Sequence, residues 1–220
     1  MLKKMLLCYL SMGLCSSGYA ASFNCHKAST PVEKMICANS TLSGMDDYMN
    51  LIYSQLKTNR AFQNEQLSWL KQRNTCASDS CLIESYQSHL RDISKTKYAA
   101  NISGNLSTFN GHWLDTNSKQ TSGSTLTISK ANTQQFNFLI RANAGGNTGE
   151  IEGQANVIGT LAFFSDDNNE TLSDSPTASC TLMFELKNKK IKLISNKLCS
   201  NYGRNGVRFS GEYIKNTKSI

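Results

Sequence analysis

The stretch Gln66-Leu-Ser-Trp69-Leu-Lys-Gln-Arg73-Asn-Thr-Cys76-Ala-Ser-Asp-Ser-Cys81-Leu82-Ile-Glu-Ser-Tyr86-Gln-Ser-His-Leu90 reads as two amphipathic helices joined by a polar loop with a cysteine at each mouth. Phe62, Trp69 and Arg73 share one helical face, because residues three, four and seven apart lie over one another. Leu82, Tyr86, Leu90 and Ile93 make the matching stripe on the second helix. Ser78 or Asp79 suits the start of that helix as its N-cap.

Upstream, Thr30-Pro31-Val32-Glu33 is a capping box with proline at the first helical position, opening a short helix to Cys37. A longer helix follows, capped by Ser40 or Ser43, with Leu42, Met45, Met49, Ile52 and Leu56 at helical spacing. Asp46 and Asp47 fall in its first turns, where carboxylates suit the positive end of the helix dipole. Further helices over about 62–75 and 80–96 complete a small bundle.

Residues 1–20 read as a secretory signal: basic Lys3 and Lys4, an apolar run to Leu14, and small residues at Gly18 and Ala20 before a mature start at Ala21. The run is too short to span a bilayer. Leu14 disfavours lipidation at Cys15. Two of the eight cysteines leave with the signal, and Cys25, Cys37, Cys76, Cys81, Cys180 and Cys199 remain. Even numbers in each part of an exported chain predict three disulfides. The first four allow three pairings, of which the local one, Cys25 with Cys37 and Cys76 with Cys81, is preferred. A small bundle buries limited apolar surface, and closing the Cys25–Cys37 loop is worth on the order of 3 kcal/mol. No Cys-x-x-Cys pair or neighbouring histidine favours zinc.

Spread over residues 21–97, Phe23, Cys25, Pro31, Cys37, Leu42-Ser43, Met45-Asp46, Tyr53, Gln66, Trp69, Arg73, Cys76, Cys81-Leu82, Tyr86 and Arg91 form a series that resembles the lysozyme inhibitor LprI N-terminal-like family. The resemblance implies an exported bacterial domain, periplasmic or secreted, and, through the family's name, inhibition of lysozyme. It assigns no inhibitory contact to any residue.

Residues 98–110 are rich in Asn, Ser and Gly and read as a linker. Beyond them, β-rich runs at 112–114, 124–129, 136–140, 150–157, 160–164, 181–186, 191–194 and 207–214 alternate with turn signals at Gly145-Gly146, Asp166–Asn169, Asn188-Lys189 and Asn205-Gly206. The expectation is an α+β chain of two domains: a disulfide-stapled helical bundle over 21–97 and an antiparallel β-barrel or sandwich over 111–220. Cys180 and Cys199 flank the hairpin at Asn188-Lys189 and are placed to bridge within the β-domain. The ending Cys199-x3-Gly203-x-Asn205-Gly-Val207-x3-Gly211-x-Tyr213 resembles β-domains of unassigned activity that follow such helical domains in exported bacterial proteins.

The formal charge of +7, less Lys3 and Lys4, leaves +5 on the mature chain, spread without the clustered Lys/Arg and interleaved aromatics of a nucleic-acid surface. His26, His89 and His112 fall in separate elements, and no Gly-x-Ser-x-Gly, His-Glu-x-x-His or phosphate loop is present, so no enzyme is expected. Glu150 and Glu152 come from one strand and suit an exposed sheet face rather than a glycosidase pair. The acidic loop from Asp166 and Asp167 to Asp174 offers oxygen ligands, but Thr171 stands where a calcium loop needs glycine, so no metal or cofactor is expected.

The candidate function is therefore binding. Trp69 and Arg73 suit a core position with the guanidinium over a ring or on a helix carboxylate. Exposed Lys71 and Gln72, and the Asp166, Asp167 and Asp174 loop, are the candidate contacts for a protein partner, lysozyme first. A net +5 gives no steering toward a basic muramidase, so such binding needs a local acidic patch, for example residues 166–174, or shape-driven contacts. The alternatives are an envelope scaffold that binds peptidoglycan or another exported protein, and a carrier with a ligand inside the β-domain. A packed β-domain would be filled instead by Phe136, Phe138, Phe163 and Phe184. Oligomeric state is left open.

Overall fold

A computed structural model of the chain describes residues 21–96, 106–166 and 179–217. The stretch 1–20 expected as a signal, most of the expected 98–110 linker, Asp167 and Asp174 lie outside the described residues.

Four α-helices come first: α1 Pro31–Ala38, α2 Ser40–Leu56, α3 Arg60–Arg73 and α4 Asp79–Lys95. The capping box forms as expected, with Glu33 N–H donating to Thr30 Oγ1 at 3.2 Å and Thr30 N–H to Glu33 Oε2 at 2.9 Å. Hydrogen bonds from the backbone N–H groups of Thr30 and then Ser29 hold the Glu33 carboxyl down at about 2. Helix α2 is capped differently from the sequence expectation. Asn39, not Ser40 or Ser43, accepts from the N–H groups of Thr41 and Leu42, because its extended backbone aims the carboxamide back at the first turn. Ser43 is buried and donates to Ile36 O at 2.7 Å. Asp46 likewise serves no dipole; it is buried one turn further on and bonded to other elements. Ser78 caps α4, one of the two residues expected there.

The cysteines pair as Cys25–Cys37, Cys76–Cys81 and Cys180–Cys199, the local arrangement that the sequence favours.

Eight antiparallel strands close into a barrel in chain order, the β-barrel alternative of the two weighed from the sequence: β1 Gly111–Asp115, β2 Ser122–Ser129, β3 Gln135–Ala144, β4 Asn147–Ile158, β5 Leu161–Ser165, β6 Thr181–Lys187, β7 Lys190–Ser195 and β8 Gly211–Lys215. The β6–β7 turn places Asn188 and Lys189 at positive φ, the tight hairpin form that follows the twist of its strands. The run 207–214 is a strand only from Gly211. Before it lie a 3-10 helix at Lys197–Tyr202 and an irregular return. That return is held where Gly149 bridges Gly203; a Cβ on Gly149 would stand 2.7 Å from the Gly203 Cα. Phe109, in the expected linker, forms a 3-10 turn with its neighbours and stacks on Phe136 at 5.7 Å, while Trp113 Nε1–H donates to its carbonyl.

Phe136, Phe138 and Phe184 fill the barrel as expected, with Phe184 5.3 Å from each of the other two rings. Phe163 does not. On β5 it is Ala162 and Phe164 that point inward, and Phe164 meets Phe138 at 4.9 Å. Leu161 and Phe163 point outward and join Ile158, Met183 and Ile194 in one apolar cluster with the helices. Strands covered on both faces lose the period-2 polar pattern from which an interior is read. Tyr48 Oη donates to Ala162 O at 2.5 Å, and Gln87 Nε2–H to Ser179 O and Thr181 Oγ1, so polar contacts pin α2 and α4 to the same strands. Gly44 lets α2 lie close to β7, since a Cβ there would be 3.3 Å from Ile194 Cγ2.

Candidate functional site: the groove between α3 and α4

Helices α3 and α4 run side by side, and the five-residue Cys76–Cys81 bridge closes the turn between them. Residues at helical spacing on each line a groove of about 510 Å³. Its floor is aromatic. Trp69, 7% exposed, stacks on His89 at 4.4 Å and 11°, and its indole N–H donates to Ser85 O at 3.2 Å and Ser85 Oγ at 3.0 Å. The walls are short and polar: Ser68, Gln72, Ser85 and Ser88. The rim carries Glu65, Glu84 and Asp92, and among the described residues no lysine or arginine lines the groove. Burial holds the His89 imidazole at about 4, so at neutral pH it is uncharged. As the neutral ring it donates Nε2–H to Gln66 Oε1 at 2.8 Å. Within a chain of net positive charge, this groove is a local concentration of negative charge.

The other face of Trp69 is structural. The Arg73 guanidinium lies 5.3 Å over it and 5.8 Å from the Tyr86 ring. Arg73 also donates to Tyr86 Oη at 2.9 Å and pairs with Asp46 at 3.4 Å. Asp46, 5% exposed, further accepts Tyr86 Oη–H at 2.6 Å and both the N–H and the hydroxyl of Ser22, at 2.9 and 2.6 Å. Four donors surround one buried carboxylate, which ties Ser22 to three helices. The sequence reading of Arg73, over a ring and on a helix carboxylate, holds in both parts.

The residues offered from sequence as contacts are dispersed. Lys71 and Gln72 are exposed on α3; Gln72 lines the groove and Lys71 does not. Asp166 lies past β5, where its carboxylate accepts from Tyr202 Oη at 2.6 Å. Asp167 and Asp174 lie outside the described residues. The β3–β4 turn, read from sequence as a turn signal, is held by Asn147 Nδ2–H to Asn205 O and by the Gly149–Gly203 bridge. Sequence reasoning passed over Glu65, Glu84 and Asp92. Their spacing on the polar faces of two adjoining helices was the available signal.

His89 gives this region a pH dependence. Its ring takes a proton near 6.5 in the unfolded chain and near 4 when folded, so between these values the unfolded chain binds more protons. Stability from this residue is complete above pH 6.5 and falls as the pH drops toward 4, by about 3 kcal/mol in all. Urea unfolding across that range is the measurement, and His89→Phe should remove this part of the slope.

The chain is similar to lipoprotein LprI of Mycobacterium bovis and lipoprotein LprI of Mycobacterium tuberculosis, 32% identical over 76 residues, which is 31% of this chain and 39% of the relative in each case. It thus spans about 39% of the length of the curated relatives that it matches. The likeness supports an LprI-like relationship for that stretch alone. No family model and no solved structure matches the chain. Among the described residues no helix is long and apolar enough to cross a membrane.

Proposed function

We propose that the chain is an exported, non-enzymatic binding protein that inhibits lysozyme-type muramidases by docking the α3–α4 groove on a basic surface beside their cleft. The observation that carries this is the groove itself: three rim carboxylates and, among the described residues, no lysine or arginine, on helices whose sequence resembles a family named for lysozyme inhibition. Basic muramidases and a chain of net +5 repel overall, and a local acidic surface answers that repulsion at the point of contact. Three disulfides support an oxidising, non-cytoplasmic setting, periplasmic or secreted. Muramidase chemistry relies on two carboxyl groups flanking the scissile bond, so covering the cleft suffices and demands no catalytic residue of the inhibitor. The carrier alternative needs a hollow in the barrel where Phe136, Phe138 and Phe184 pack.

The test is turnover of a cell-wall suspension by chicken-type, goose-type and invertebrate-type lysozymes with the mature protein titrated in at two salt concentrations. Inhibition of at least one enzyme at micromolar protein is expected. Added salt should weaken it, because attraction at the groove is screened. Charge reversal by Glu84→Lys with Asp92→Lys should raise the inhibitory concentration roughly tenfold. Absence of inhibition of all three would remove this reading and leave the envelope scaffold. Inhibition that is indifferent to both salt and charge reversal would move the contact away from the groove.

A further inference from the structure

A second concavity opens on the opposite side of α3, between α2, α3 and the segment around Phe23, with a volume of about 540 Å³. We propose that this cleft binds an N-acetylated aminosugar unit of a neutral glycan. The size falls within the range of small-ligand sites. Among the described residues four large hydrophobic side chains are exposed, and two of them, Tyr53 at 37% and Leu67 at 59%, line this cleft. They offer a ring and an aliphatic branch to the C–H face of a sugar, while Met49 and Leu70 add an apolar wall suited to an acetamido methyl.

The polar groups of the cleft select against charge. Its Asp46 is spent on Arg73, Tyr86 and Ser22, and its Glu33 on Ser29 and Thr30. A phosphate, carboxylate or ammonium would shed its hydration there and meet no free counter-charge. What remains open is amide chemistry. Gln66 is 6% exposed and uses its carbonyl on His89, and its amide hydrogens take no partner among the described residues. Asn50 is exposed in the same cleft, and Gln63, whose amide nitrogen donates to Lys57 O, keeps its carbonyl oxygen available. Carboxamides both donate and accept, as do hydroxyl and acetamido groups. A purely apolar side chain from a protein would bury the Gln66 amide without a partner, which disfavours that occupant.

This inference stands on residues other than the rim carboxylates and holds or fails apart from muramidase inhibition. The test is an amide and indole NMR titration of the full mature chain with the tetramer of N-acetylglucosamine and, separately, the tetramer of glucose. The expected result is a saturable shift of the Trp69 indole and Gln66 carboxamide signals with the N-acetylated sugar. Trp113, buried in the barrel, should stay unmoved as an internal control. The glucose tetramer should bind at least about tenfold more weakly, because it lacks the acetamido group whose methyl would pack on Met49 and Leu70 and whose carbonyl would accept from the Gln66 amide. Tyr53→Ala should weaken the N-acetylated sugar by a similar factor with its melting temperature held, since Tyr53 is partly solvent-facing. Equal binding of both sugars, no saturable shift at millimolar sugar, or Tyr53→Ala binding as tightly as the parent would each overturn the proposal.

Discussion

Arg73→Ala is expected to destabilise the protein by about 3–5 kcal/mol, the range seen when one partner of a buried ion pair is removed. The side chains of Arg73 and Asp46 are 12% and 7% exposed, so this is no surface pair screened by water. Truncation strips the cation from a carboxylate that cannot regain its hydration, and it also removes the guanidinium from the faces of Trp69 and Tyr86. Arg73→Lys keeps the charge and loses the planar stacking and the forked hydrogen bonds, so it should recover only part of the loss. Arg73→Met combined with Asp46→Asn should recover more than either single change, because it removes the stranded charge along with its partner. Urea unfolding of the chain from Ala21 measures each variant against the parent. A loss below about 1 kcal/mol for Arg73→Ala would mean that the pair behaves as if exposed.

This network also shows what the sequence made legible. Helix periodicity located all four helices to within a few residues, because apolar spacing and Ser/Thr/Asn chemistry are local signals; on α2 only the cap differs. The pairing of Arg73 with a helix carboxylate was open to inference by type, but not the identity of Asp46. That assignment depends on how α2 crosses α3, a tertiary fact. Asp46 looked like a dipole residue because it falls near the start of α2, yet it sits beyond the first turn, on the buried side that meets Arg73 and Tyr86. The barrel strands were visible through alternation where one face meets solvent, as in β3, with Phe136, Phe138 and Ile140 inward and Asn137 and Arg141 outward. Alternation failed on β5 and β6, which are buried on both sides. The candidate groove was the least legible part. Glu65, Glu84 and Asp92 look like any solvated helix face until α3 and α4 are placed side by side.

Phe163→Ala should cost about 3–5 kcal/mol and should do so for the helices and the barrel together. The linker and the change of composition near residue 97 predict two parts, and the chain does divide into a helical bundle and a barrel. Yet Phe163, 1% exposed, lies on the outer face of β5 in the same apolar cluster as Met45, Ile52, Leu90 and Ile93. Neither part alone can cover that face. The bundle would leave its own side of the cluster in water, and the barrel would expose Leu161, Phe163 and Met183 as an apolar patch of the kind that isolated domains rarely tolerate. The two tryptophans divide between the parts, Trp69 in α3 and Trp113 in β1, so their indole NMR signals report on each separately. In the parent both signals should be lost over one denaturant transition, and in Phe163→Ala both should be lost at the same lower midpoint. A variant that lost the Trp69 signal early and kept the Trp113 signal to the parent midpoint would show that the shared cluster does not couple the two parts. The helices would then be a separable cap on a barrel that stands without them.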